Sequence, residues 1–252
     1  DPVRLACSKL AHIHFTFADE YAKNIEKIGE EKYRICFSGN PALSNLIETK
    51  DLDRKTLSDY LDMDVDNSDY IVVLKHPLSS EMQDSYKQMK ATMKAVSEFS
   101  ANNKMKVIGI YPNTDPGSYD VLKAIDENCN DNIRFYKTLN RDIFVNIMRN
   151  AKALVGNSSM GILEAPFYKL PVVNVGNRQK GRLNAGNVEF VNYDKQEILD
   201  SISKACFDNE YRDYVSNLDN PYGDGFAHKR IVEFLGSIDT SDEKWYTKKK
   251  LV

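Results

Sequence analysis

The chain has 252 residues, 42% apolar and 28% charged, enough to bury one or two cores, and no apolar run approaches the roughly 20 residues that span a bilayer. With 34 basic against 37 acidic residues the formal net charge is −3, which argues against a general nucleic-acid binder and leaves room for a local basic pocket. Cys7, Cys36, Cys129 and Cys206 are scattered without a CxxC pair, so they are read as reduced and structural rather than as a zinc site or a disulfide framework.

The opening DPVRLACSKLAH lacks the basic-then-apolar order of a signal peptide, and a cytoplasmic location is the expectation. It reads as the end of a helix entering a strand, so further sequence is expected before Asp1. HIHFTF alternates as a strand, and FADEYAKNIEKIGE follows with Tyr21, Ile25 and Ile28 at helical spacing and Gly29 as a stop. RICFSGNP reads as a strand ending in a turn, and the acidic stretch from Asp51 to Asp66 as a helix plus a surface loop, with a domain boundary near residues 44 to 50. YIVVLKHP is a continuous apolar run of the kind buried on both faces, ended by Pro77. A helix is predicted from about Ser80, with Met82, Tyr86, Met89, Met93 and Val96 as a core-packing stripe. Then come KVIGI, VLKAIDE, IRFYK, RDIFVNIMRNA, KALVG, PVVNVG, VEFV and DKQEILDSISKAC, short strands alternating with helices, before a Gly-bracketed turn and a terminal amphipathic helix. This alternation predicts a parallel, doubly wound Rossmann-like α/β sheet with right-handed crossovers. Lys248 to Lys250 read as a solvated tail.

Ligands of such sheets bind outside the carboxyl ends of the strands, and polar groups recur there: His76 after one strand, Asn113 and Asp115 after the next, Gly156 to Ser159 after another, and Gly176 to Arg182 after a fourth. A lone strand-end His or Asn is commonly a turn residue; four strand ends together favour a site. Within VGNSSMGILEAPFYKLPVVNVGNRQKGR, a helix opening at Ser158 or Ser159 would present unpaired N–H groups to an anion. Gly156, Asn157 and Gly161 let it come close, Glu164 lies within two turns, and Arg178 and Arg182 follow the next strand. This is the composition of a nucleotide-phosphate corner.

The stretches DPVRLACSKLAH, YIVVLKHPLSSE, YPNTDPGS, GNSSMGILEAP, PVVNVGNRQKGR and YGDGFAHKRI, in this order and across nearly the whole chain, resemble the UDP-N-acetylglucosamine 2-epimerase family. HP with PNTDPGS points to the hydrolysing branch that releases N-acetylmannosamine for sialic acid synthesis. The resemblance implies the second half of a two-domain, glycosyltransferase-B-like architecture. Residues 1–44 would be the tail of the N-terminal Rossmann-like domain, and residues 45–252 the UDP-binding domain with its terminal helix packing back.

By the same resemblance Ser158 and Ser159 match a diphosphate-binding pair, Glu164 a carboxylate on the ribose hydroxyls, and Arg178 an arginine near phosphates and sugar. His76 matches an active-site histidine suited to the leaving phosphate, and Asp1 and Arg4 match an acid and a base bordering the sugar. Asn113, Gly156, Asn157, Gly161 and Arg182 complete the expected pocket. Ser44 stands where many relatives carry an acidic residue. The implied reaction eliminates UDP and hydrates the glycal with inversion at C2, with no cofactor and no metal, in a homodimer or homotetramer that binds UDP and a UDP-amino sugar but neither nucleic acid nor membrane. The C2 general base is expected upstream of Asp1. Two alternatives stay open: a UDP-2,4-diacetamido-trideoxyhexose as substrate, or a UDP-binding fragment inactive without its N-terminal domain.

Overall fold

The computed structural model describes residues 2–247, which group into two compact units, one of residues 2–48 with 220–247 and one of residues 49–219. Asp1 and the Lys248–Lys250 run lie outside the described residues.

The first unit begins with α1 (Pro2–Leu10) and β1 (His14–Thr16), followed by α2 (Asp19–Lys27) and β2 (Ile35–Phe37), which pairs parallel to β1. Gly29, with φ +87°, takes the left-handed turn that stops α2. A 3-10 turn over Pro41–Leu43, capped by the Asn40 side chain, leads to α3 (Ser44–Glu48). The chain's return joins this unit through Asn40 N donating to Tyr222 O at 2.7 Å.

The second unit starts with α4 (Arg54–Leu61), where Asp53 caps the first turn by accepting from Thr56 N at 2.7 Å. Its sheet and helices follow in alternation: β3 (Tyr70–Leu74), α5 (Ser85–Asn103), β4 (Lys106–Ile110), α6 (Ser118–Asp126), β5 (Ile133–Tyr136), α7 (Arg141–Asn150), β6 (Leu154–Gly156), α8 (Met160–Leu163), β7 (Val172–Val175), β8 (Val188–Val191), α9 (Lys195–Phe207) and α10 (Asn209–Ser216). The last helix, α11 (Ala227–Gly236), belongs to the first unit.

All five pairings in this sheet are parallel and the strand order is β5-β4-β3-β6-β7-β8. Numbered within the sheet this is 3-2-1-4-5-6, the doubly wound Rossmann order, with its switch point between β3 and β6. Every residue of β3 is buried because the strand alternates between two cores: Ile71 and Val73 join α5, α6 and α9 on one face, and Tyr70, Val72 and Leu74 join α4, α7 and α8 on the other. Met89, Met93 and Val96 are buried in the first core as the helical stripe required. Met82 is not; it is 44% exposed, in an irregular 3-10 turn over Ser79–Asp84 that precedes α5. The helix therefore opens at Ser85, because Glu81 (φ −123°, ψ 25°) breaks the regular backbone.

Candidate functional site

The register puts Leu74, Ile110 and Asn174 level with one another across β4, β3, β6 and β7, with Gly156 between Leu74 and Asn174. The residues just past them, His76, Asn113, Ser158 and Arg178, therefore emerge along one edge of the sheet, and β3 and β6 part company there. Gly156 makes the parting possible. Its φ is +146°, and a Cβ would stand 2.0 Å from the carbonyl oxygen of Leu74, so only glycine lets the two backbones come this close.

Asn157 ties the two strand ends together. Its Oδ1 accepts from His76 N at 2.8 Å and its Nδ2 donates to His76 O at 2.8 Å, and the residue is 2% exposed. Its own carbonyl accepts from Arg178 at 3.1 Å and from the Gln179 side chain at 3.0 Å. Gln179, itself 2% exposed, accepts in turn from Arg182 at 2.8 Å. One asparagine thus joins the loop after β3 to the basic loop after β7.

The half-buried His76 ring has a defined tautomer. Asn113 N donates to Nδ1 at 3.2 Å, which leaves Nε2 to carry the proton in the neutral ring. Burial, reinforced by the nearby Arg178 guanidinium, lowers its pKa below the ordinary histidine value. The Asn113 side chain turns to Asp115, with Nδ2 donating to Oδ2 at 2.6 Å.

At the Ser pair, Ser158 Oγ accepts from Met160 N at 3.4 Å, a long hydrogen bond, and the amides of Ser158 and Ser159 have no acceptor among the described residues. These are N–H groups available to an anion. Gly161 lets α8 lie against β7: a Cβ there would be 2.9 Å from Val172 Cγ1. Glu164 ends α8, half-buried, and burial raises its carboxyl pKa while the Arg141 guanidinium opposes the rise.

Of the residues singled out in the sequence, hydrogen bonds join His76, Asn113, Asn157, Arg178 and Arg182 along this edge, with Gly156, Ser158 and Ser159 on either side of Asn157 in the chain; Gly161 instead packs against Val172 and Leu154 at the start of β7 and β6, and the charged neighbour of Glu164 is Arg141. Arg4 is on α1, in the first unit, and Asp1 lies outside the described residues. Sequence reasoning missed Gln179, a neutral amide inside a run read for its arginines. It also missed Lys75, buried at 3% exposure beside His76.

Comparison with known proteins follows the same lines. Residues 1–236 match the family described as UDP-N-acetylglucosamine 2-epimerase. The chain is 30% identical over 191 residues to a hydrolysing GDP/UDP-N,N'-diacetylbacillosamine 2-epimerase of Campylobacter jejuni, covering 75% of this chain and 49% of that protein. It is 30% identical over 237 residues to a hydrolysing UDP-N,N'-diacetylbacillosamine 2-epimerase of Legionella pneumophila, covering 94% and 60%. The chain therefore spans only about half to three fifths of these relatives' length. Its fold matches the crystal structure of a Neisseria meningitidis UDP-GlcNAc 2-epimerase bound to UDP-GlcNAc with a TM-score of 0.76, at 20% identity over 92% of this chain and 63% of that one.

Proposed function

The chain belongs to the UDP-N-acetylglucosamine 2-epimerase family, and from that premise we propose that it is the nucleotide-binding half of a hydrolysing UDP-sugar 2-epimerase, which converts UDP-N-acetylglucosamine and water to N-acetylmannosamine and UDP. The observation that carries the reading is the Asn157 junction, which brings the His76 imidazole, the open Ser158 and Ser159 amides and the Arg178 guanidinium to one sheet edge. In this proposal the amides and Arg178 hold the diphosphate, Glu164 accepts from the ribose hydroxyls, and the neutral His76 donates from Nε2 to the departing phosphate oxygen. Gln179 holds the arginine loop to Asn157. The C–O bond to UDP breaks as the C2 proton is removed, and water then adds across the glycal; the C2 base belongs to residues ahead of Asp1. Arg4 and Asp1 are assigned to the sugar side, and residues 1–44 to the tail of the N-terminal domain.

A second substrate reading has a specific support: both relatives at 30% identity are named for a diacetamido-trideoxy sugar nucleotide. The test is to incubate the complete protein with UDP-N-acetylglucosamine and, separately, with the UDP-2,4-diacetamido-trideoxyhexose, following UDP by phosphorus NMR and the sugar by its C2 configuration. UDP release with a 2-epimerised product from one of them is the expected result. Release from neither overturns the enzyme reading. Calorimetry of UDP on the 252-residue chain then decides whether a binding fragment is left.

A further inference from the structure

Lys75, the first residue past β3, is 3% exposed and takes no part in the anion corner as built from His76, the Ser pair and Arg178. Its Nζ stands 5.1 Å from the centroid of the Tyr193 ring, an aromatic face rather than a carboxylate. Tyr193 is held in turn. Its hydroxyl donates to Glu81 Oε2 at 3.1 Å, and the same oxygen accepts from Gln88 Nε2 at 2.7 Å. That hydroxyl also lies against the start of the basic loop: a Cβ on Gly176 would be 2.1 Å from it. One ring therefore links the residue before His76, the Ser79–Asp84 turn and α5 to Gly176, the first residue of the loop that carries Arg178 and Gln179.

The geometry points to Lys75 and Tyr193 as positioning residues for the Gly176–Arg182 loop: the Lys75 ammonium holds the Tyr193 ring, the ring and its hydroxyl pack against Gly176 and set the start of the loop, and diphosphate affinity at Arg178 follows the charge on Lys75. This rests on the reading that the corner takes the diphosphate of UDP. Charged and titratable groups around the cluster are Glu81 and Asp84 on the turn, Lys87 on α5, Tyr193 ahead of α9, and His76 and Arg178 on the neighbouring loops. Burial brings the Lys75 ammonium down to about 7, with Glu81 opposing, so its charge changes across neutral pH. By reciprocity, an anion that prefers the charged form also favours protonation of Lys75.

The experiment is calorimetric titration of UDP into the 252-residue chain at three pH values from slightly acid to slightly alkaline, for wild type, Lys75→Met, Lys75→Arg and Tyr193→Phe, with thermal melts to establish folding. Wild-type affinity is expected to fall about ten-fold from the acid to the alkaline end, the size of a desolvated cation–π attraction that vanishes with the charge. Lys75→Met is expected to bind weakly and keep only the pH dependence that His76 and the ligand's own phosphate contribute, Lys75→Arg to bind tightly with that same residual dependence, and Tyr193→Phe to bind weakly with it. A Lys75→Met chain that keeps the wild-type slope, or a Tyr193→Phe chain that binds and titrates as wild type, overturns the proposal and leaves UDP binding standing. A wild-type chain that binds no UDP at any pH overturns the UDP reading itself, and the positioning role with it.

Discussion

Both polar atoms of the Asn157 amide are bonded to the backbone of His76, so Asn157→Ala strands a buried N–H and a buried carbonyl at the switch point. The expected cost is about 2–4 kcal/mol of stability, read by urea denaturation, together with weaker UDP binding, since the loop that carries the His76 imidazole is no longer tied to the turn that opens at the Ser pair. His76 and Lys75 give a pH signature. Both have folded pKa values below their unfolded ones, so the unfolded chain holds more protons in each window and stability rises with pH. For His76 the penalty sets in as pH falls through the ordinary histidine range; for Lys75 it is fully present below about 7 and disappears as pH rises towards the ordinary lysine value of 10.5. Lys75→Met should therefore stabilise the protein by a few kcal/mol near pH 6 and by little near pH 10, as denaturation midpoints at the two pH values will report. At this scale the sequence displayed the residues whose chemistry is distinctive: a histidine, two serines and two arginines at strand ends. It concealed Gln179, Lys75 and Tyr193, whose roles come from what lies over them in three dimensions, which leaves no trace in periodicity.

The strand-end turns are where elements and sequence part. The helix expected at the Ser pair is a single α-turn, Met160–Leu163; at Glu164 the backbone departs to φ −112°, and Pro166, with no N–H to give, carries it on as a 3-10 turn. So short a helix has little macrodipole, and the attraction for an anion comes from the local amides of Ser158 and Ser159. Strand identities were legible because continuous apolar runs bounded by Gly, Pro and Asn have few other readings. The start of α5 was not, since the Glu81 side chain is tied to Gln88 two turns on and to Tyr193, 112 positions away in sequence. The glycine between β6 and its turn offers a direct test. Gly156→Ala must place a methyl 2.0 Å from a backbone oxygen that cannot rotate away, so β6 has to move off β3. A loss of at least about 3 kcal/mol and no measurable UDP binding are expected, by denaturation and calorimetry.

At the scale of the molecule, the two hydrophobic clusters are built from residues between Leu57 and Cys206, all within the second unit. Residues 49–219 expressed alone should melt cooperatively and keep UDP affinity within a few-fold of the 252-residue chain; a non-cooperative melt by circular dichroism would show that the cores do not suffice. Alternating strands and helices made a parallel sheet legible, while the strand order had to come from the structure, because the crossover from β5 to β6 passes over two strands that no local pattern announces. That crossover also sets a timetable for synthesis. The Asn157 side chain that pins His76 lies 81 positions later in the chain, and at about 5–20 residues per second a ribosome needs about 4–16 s to make the difference. Through that interval β3 exists without β6 at its side, and its unpaired edge is open to whatever a newborn chain meets. The anion corner is then among the last parts of the sheet to close.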